Sequence, residues 1–389
     1  MTVPGDGRRK LAAAVRASAV PYLISVVSGR RGPIPGIIRP VLAAAALIYA
    51  AALEFYLALY RCGLRKATRL PCAVICVGNL TTGGTGKTPT TQALCRLLLR
   101  QGMRVAVIIR GYGGAYEHRS ALVSDGTTVL LEPRSSGDEA YLLARTLPGV
   151  AVAVGRDRIR TGRLVCAEHR PDVIVMDDGF QHWRLHRDLD IVLLNACRPF
   201  DNGWTVPRGM LREPKSHLRR AGIVLLTNAR RAGDGALMAL RAEVARLAPG
   251  RPIFVADLAP EALLTRDGLE AETLDWLDGK RVCAVSALGN PASFESMLAE
   301  QGAVLAQRVR YADHHALSRQ ELGKIFAEAT EVLADAVITT EKDAVKVESV
   351  PSAPPLRVLR VGMVISDQEA LISTISAHLA EGRGSAPHH

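Results

Sequence analysis

The chain has 389 residues, 48% of them hydrophobic, which excludes a largely disordered protein and is enough for two domains. Its 49 Lys and Arg outweigh 38 Asp and Glu, leaving a formal net charge of +11, and 41 of the basic residues are Arg. Such an excess points to phosphates, anionic lipid or nucleic acid, but 4% aromatic content without basic–aromatic interleaving argues against a groove for single-stranded nucleic acid.

The first 32 residues carry RRK and GRRG, with Arg16 inside the apolar stretch between them, a poor pattern for a cleaved signal peptide. The first expected helix is PVLAAAALIYAAALEFYLALYRCGLRK, Pro40–Lys66. Its uncharged run, Val41–Leu53, is 13 residues, short of the ~18 expected of a spanning segment. Glu54 interrupts it, and Arg61, Arg65, Lys66 and Arg69 follow. This suits a helix lying in the membrane interface with its basic residues at anionic headgroups. A buried core helix and a true span are the alternatives.

CAVICVG, Cys72–Gly78, reads as a buried parallel strand with Cys72 and Cys76 on one core-facing side. The seven cysteines contain no C-x-x-C pair, so neither a zinc ribbon nor a disulfide framework is expected, and a reducing compartment fits. TTGGTGKTPTTQ (81–92) follows, and a helix over 88–102 puts Ala93, Leu97 and Leu98 on one face and stops at Gly102. Strand, glycine loop and helix are the context of a phosphate-binding loop. Gly83, Gly84 and Gly86 let backbone amides turn inward, with Thr81, Thr82 and Thr85 completing the loop, and the helix N-terminus adds partial positive charge. Lys87 would reach the β- and γ-phosphates of ATP, and the Thr88 hydroxyl would ligate Mg²⁺. Thr81 stands where the pattern G-x-x-x-x-G-K-[ST] has glycine.

Further strands are expected at 105–110, 173–178, 190–196 and 222–229, and helices around 137–147, 156–169 and 235–248. The alternation predicts an α/β fold, a P-loop NTPase-type parallel sheet with helices on both faces. After PIFVADLAP (252–260) a charged connection, 264–280, leads to a second α/β set from 282, with strands at 336–340 and 356–361. The expected segments are 1–70, a basic stretch and membrane-associated helix; 71–265, the phosphate-loop core; 266–380, a smaller C-terminal α/β domain; and 381–389, a disordered tail.

VIVMDDGFQHWRL (173–185) ends an apolar strand with Asp177 and Asp178, where a strand-end aspartate can hold Mg²⁺ beside a nucleotide loop. SSGDEAYLLAR (135–145) reads as a helix start whose dipole Asp138 and Glu139 complement. In YADHHALS (311–318), Asp313 can cap a helix and leave two exposed histidines, or an Asp–His pairing can deprotonate a hydroxyl. His182 and His186 have i,i+4 spacing, but without an adjacent glutamate a zinc site is not expected. RGYGG (110–114), PRGMLREP (207–214) and ITTEKDAVK (338–346) are polar loops after apolar runs, surface turns or functional loops alike.

Taken in this order, VGNLTTGGTGKTP (77–89), RGYGG (110–114), GDEA (137–140), DDGFQH (177–182), RGMLREP (208–214), DHH (313–315) and TTEKDAVK (339–346) resemble the tetraacyldisaccharide 4′-kinase, or lipid A 4′-kinase, family. The resemblance implies transfer of the ATP γ-phosphoryl group to the 4′-hydroxyl of an acylated glucosamine disaccharide 1-phosphate, giving lipid IVA. It also implies a peripheral or monotopic protein on the cytoplasmic face of a Gram-negative inner membrane. The lipid and the membrane surface would be its partners, with no nucleic acid and no obligate protein partner. Residue by residue, Lys87 and Thr88 keep their loop roles, and Asp177 and Asp178 belong to the Mg²⁺ and nucleotide site. Asp138 matches the acidic catalytic residue, with His314 as its dyad partner, and Glu213 matches a functional acidic loop residue. Tyr112, Glu139, Gln181 and Arg212 are further candidates in the same motifs. Ala140 stands where proline is frequent and SALGNP replaces AGIGNP, which implies slight loop differences only. The alternative is a membrane-associated partitioning ATPase, whose loop carries an extra lysine at the position of Thr82.

Overall fold

A computed structural model describes residues 33–384, apart from 313, 314, 316 and 348–352. They divide into two units. One comprises 33–66, 80–82 and 198–219, and the other 67–79, 83–197 and 220–384.

The first unit is built on helix α1 (Pro33–Arg61), which starts before the expected Pro40 and carries that proline inside it. A proline there removes one amide and crowds only the carbonyl of Gly36, and the Ala- and Leu-rich run that follows favours helix strongly enough to override it. The earlier start matters. Ile38–Arg61, at 24 residues, is long and apolar enough to cross a membrane by length and composition. Only 11% of its most apolar window is buried, which argues against the core-helix reading. Val41, Leu47, Ile48 and Phe55 are exposed, whereas Ala46 and Leu57 are buried.

Glu54 is more than an interruption of the apolar run. Its carboxylate meets His217 Nε2 and pairs with Arg61 at 2.8 Å. The other ring nitrogen, Nδ1, lies 2.7 Å from the carboxylate of buried Glu213. The His217 ring thus bridges two carboxylates, that of Glu54 on α1 and that of buried Glu213. The hydrogen bond from His217 is also the main cause that holds the Glu54 carboxyl below the usual carboxylate range. The Tyr49 hydroxyl donates to the Arg212 carbonyl at 2.8 Å and Thr205 Oγ1 to that of Ala46 at 3.2 Å, fastening α1 to residues 205–217.

The second unit is one continuous sheet. Strand β1 (Ala73–Asn79) lies between β5 (Val173–Asp177) and β6 (Leu189–Asn195), parallel to both. Beyond β5 come β2 (Val105–Ile109), β4 (Ala151–Val154) and an antiparallel edge, β3 (Ala121–Ser124). Beyond β6 come β7 (Ile223–Thr227) and β8 (Ile253–Leu264). There the direction reverses: β13 (Leu356–Ile365) pairs antiparallel with β8, and β12 (Ala336–Thr340), β10 (Arg281–Ser286) and β11 (Val304–Arg310) follow in parallel. The short β9 (Glu270–Glu272) pairs with β8.

Val- and Ile-rich runs buried along their whole length make β1, β2 and β5 two-faced core strands, as a parallel sheet between helix layers requires. Helices α2 (Lys87–Arg100) and α3 (Asp138–Thr146) place Leu94, Leu98 and Leu143 in one core with Ile75, Val77, Val107 and Val175. Helices α4 (Arg158–His169) and α5 (Asp234–Leu247) follow in the chain. In the C-terminal half α6 (Pro291–Glu300) packs Phe294 and Leu298 on Val282 and Ala284. Helix α7 (Arg319–Glu331) packs Leu322 and Phe326 on the alternate residues Cys283 and Val285, so both faces are covered. The last helix is α8 (Gln368–Gly384).

Three expectations change. Cys72 precedes β1 and is half-buried, with its Sγ 3.5 Å from that of Cys166, so of this pair Cys76 alone is a core thiol. Residues 264–280 are not a bare connection, since they hold β9 and a 3₁₀ turn, Leu274–Leu277, that buries Leu277. Strands β3, β4 and β11 had no distinct signal in the sequence. Two of them have four residues, and the third, VLAQRVR, is a half-exposed edge.

Candidate active site

The carboxyl end of β1 delivers Asn79, and the chain re-enters the second unit at Gly83. Gly83 and Gly84 are exposed. Gly86 is the N-cap of α2 with φ 83°, in the left-handed region, and no side chain caps the amides that follow. Those amides and the helix dipole are therefore directed at whatever anion the loop receives. Lys87 opens the helix. Its side chain is only 14% exposed. Its Nζ lies 3.4 Å from Asn79 Oδ1 and 3.7 Å from Asp178 Oδ1. Asn79 also donates to Thr85 Oγ1 at 3.0 Å, and the Thr85 carbonyl accepts from Thr227 at 3.1 Å, which fixes the loop to the ends of β1 and β7. Thr88 is half-buried in the first turn of α2.

The other loop residues belong to the first unit. The Thr82 amide donates to Met210 O and the Arg212 amide to Leu80 O, each at 2.7 Å, and Thr81 bridges Leu211. Arg212 and Glu213 are thus held in the same unit as Thr81 and Thr82.

Asp177 ends β5, buried, and accepts from Thr91 Oγ1 at 2.9 Å. Burial, and then the charges of Glu139 and Asp178, push its pKa up to about 7 against the opposing pull of Lys87 and Thr91. Asp178 turns out of the strand at φ 49°. Gln181 Nε2 donates to the Asn79 carbonyl at 3.0 Å, tying the DDGFQH turn to the end of β1. Buried Arg158 feels both aspartates; burial, the larger effect, lowers its pKa to about 10 while Asp177 and Asp178 raise it. It was missed in the sequence because an arginine opening a helix reads as a surface residue. The only signal is its place after a buried strand and Gly155.

In metal-free protein the folded chain keeps a proton on Asp177 that the unfolded chain has released. Stability from this group is complete below the ordinary value of 3.8 and is lost as the pH rises through about 7. Asp177→Asn should therefore flatten the fall in Tm between about pH 5 and about pH 8, followed by calorimetry in a chelator. An unchanged fall would contradict this account of the site.

Asp138 is the first residue of α3, after Gly137 at φ 85°. RGYGG explains the approach. A Cβ at Gly111 would sit 2.7 Å from Ser136 O, and one at Gly137 2.8 Å from Tyr112 O, so two backbones press together and set the start of α3. Tyr112 is exposed, with the Arg110 guanidinium 5.8 Å from its ring. From the TTEKDAVK segment, Lys346 Nζ reaches Asp138 Oδ2 at 3.2 Å and Lys342 reaches Glu139 Oε1 at 3.7 Å. His314 and Asp313 lie outside the described residues. Among the described residues no group of three or more His, Cys, Asp or Glu could hold a metal ion, and His182 is half-buried with its pKa lowered to about 4, chiefly by desolvation.

The structure thus gathers Lys87, Asp177, Asp178 and Gln181 around the end of β1, with Glu139 near enough to act on Asp177. Uncapped amides and an ammonium at the end of a central parallel strand suit an anion, and strand-end carboxylates beside them suit a metal-bridged phosphate. That is the arrangement of the phosphate-loop α/β phosphotransferases.

Comparison with known proteins narrows the class. Residues 38–380 match the family model described as Tetraacyldisaccharide-1-P 4′-kinase, and the chain belongs to that family. It is 39% identical over 352 residues to the tetraacyldisaccharide 4′-kinase of Syntrophus aciditrophicus (strain SB), covering 86% of this chain and 94% of that protein. It is 44% identical over 335 residues to that of Anaeromyxobacter dehalogenans (strain 2CP-C), covering 85% and 88%. Among solved structures it resembles the "apo" form of LpxK from Aquifex aeolicus in complex with ATP, with TM-score 0.71 and 29% identity over 88% of this chain and 99% of that one. The chain is accordingly a kinase of lipid A biosynthesis acting on a tetraacyldisaccharide 1-phosphate, and the partitioning-ATPase alternative is set aside.

Proposed function

We propose that ATP is the phosphoryl donor and that the 4′-hydroxyl of the membrane-held acylated glucosamine disaccharide 1-phosphate is the acceptor, the product being lipid IVA. One observation carries this reading: the Lys87 ammonium, held by Asn79 and Asp178, opens a helix whose first amides no side chain caps. The amides of Gly83–Thr88 and Lys87 bind the β- and γ-phosphates. The Thr88 hydroxyl and the Asp177 and Asp178 carboxylates suit Mg²⁺, because Asp177 is a buried oxygen donor set beside a second carboxylate, where a cation would offset the burial that raises its pKa. Mg²⁺, when bound, neutralises charge on the transferred phosphoryl oxygens. Asp138, with His314 as partner, takes the proton of the attacking hydroxyl. Residues 71–265 make the nucleotide core and 266–380 the smaller α/β lobe. Phosphoryl transfer from ATP should require the acylated disaccharide 1-phosphate. Turnover stimulated by DNA or empty vesicles instead would return the reading to a switch ATPase.

The exposed apolar side chains of α1 support a place on the inner membrane, facing the cytoplasm. Deleting the helix is a poor test, since it would strip Glu54 from His217 and Glu213. Val41→Asp with Ile48→Asp and Phe55→Asp should instead weaken sedimentation with anionic vesicles ~10-fold or more, given ~2 kcal/mol or more per buried large apolar side chain. Equal sedimentation of this variant would contradict interfacial binding through that face.

A further inference from the structure

The TTEKDAVK segment contains a nearly buried lysine that the reaction as described does not use. The Lys346 side chain is 8% exposed, with its ammonium 3.2 Å from Asp138 Oδ2, 3.9 Å from Asp343 Oδ1 and 3.5 Å from the His315 carbonyl. Asp343 is buried and fixed. Its Oδ2 accepts from the Ala287 amide at 3.0 Å and from Thr340 Oγ1 at 2.8 Å, which leaves Oδ1 turned to Lys346 without a hydrogen bond of its own. A buried ammonium demands partners, and a compact point charge with rotatable donors holds a carboxylate by attraction along one direction. On one side that charge is anchored to a carboxylate that cannot move. On the other it meets Asp138.

We propose that Lys346 is the positioning residue for Asp138, holding its carboxylate in a single orientation at the start of α3. The inference rests on the reading of Asp138 as the group that takes the acceptor's proton. Lys342, paired with the more exposed Glu139, has a longer contact, and its removal should matter less. A base misplaced by a fraction of an ångström loses rate without losing nucleotide, because Lys346 has no part in the Gly83–Thr88 loop.

The test uses the full chain, with Lys346→Met and Lys346→Arg each made in the native and the Asp138→Asn background. ATP affinity and Tm are measured on every protein, and Lys346→Gln replaces the methionine variant if that one does not fold. In the native background Lys346→Met should lower kcat about 10- to 100-fold with KM for ATP unchanged. Lys346→Arg should recover most of that loss. In the Asp138→Asn background the same Lys346→Met change should cost less than about 3-fold, because the carboxylate it served is gone. Equal losses in both backgrounds would mean a structural role and would overturn the proposal, as would an unchanged kcat. The two readings fail differently. Full turnover in Asp138→Asn overturns the assignment of the base itself, whereas an inactive Asp138→Asn beside a fully active Lys346→Met overturns only the role of Lys346.

Discussion

Lys87→Ala should lower kcat by ~10²-fold or more while the chain stays folded. The ammonium is the one loop cation held by both a strand-end amide and a strand-end carboxylate, and in the proposed reaction it offsets the phosphate charge in the transition state. Its removal leaves Asn79 still bonded to Thr85 and Asp177 still bonded to Thr91, so the cradle survives without its charge. Initial rates at saturating ATP, read beside Tm, separate the two effects. A folded Lys87→Ala protein with unchanged kinase activity would remove the basis for the phosphate-loop assignment.

The second large effect concerns the proposed base. Asp138→Ala should lower kcat by ~10²- to 10⁴-fold, the range of a lost general base. His314→Ala should be comparably slow, and the double variant should be little worse than the poorer single one if the pair acts as a unit. ATP binding should persist in all three, because Lys87, Thr88 and the Asp177–Asp178 pair remain. Isothermal titration with ATP and single-turnover rates decide it. Additive losses would reject a dyad, and lost nucleotide affinity in Asp138→Ala would move that residue to the metal site.

The parts of this molecule legible in the sequence are those encoded locally. An apolar strand, a glycine loop and Lys87 lie within a few residues of one another, so pattern and chemistry coincide. Asp177 and Asp178 were equally plain at the end of VIVMD. The RGYGG turn was visible as glycines, but its purpose was not, since Gly111 and Gly137 are required by each other's backbones across a fold-dependent contact. Arg158 and Lys346 were hidden for the same reason: a basic residue in a polar stretch reads as solvated until tertiary packing buries it. Glu54 looked like a flaw in an apolar helix because its partner, His217, is 163 residues away. The single sheet through residues 73–365 depends on β8 pairing antiparallel with β13, a register no local pattern reports.

The most direct test incubates the purified full chain with ATP labelled in its γ-phosphoryl group, Mg²⁺ and the tetraacyldisaccharide 1-phosphate dispersed in detergent. Mass spectrometry and phosphorus–proton correlation NMR then read the product. The label should appear as a phosphate monoester on the 4′ carbon, leaving the 1-phosphate untouched and forming ADP in equal amount. ADP formed without a new phosphate ester, or an ester at another position, would contradict the account.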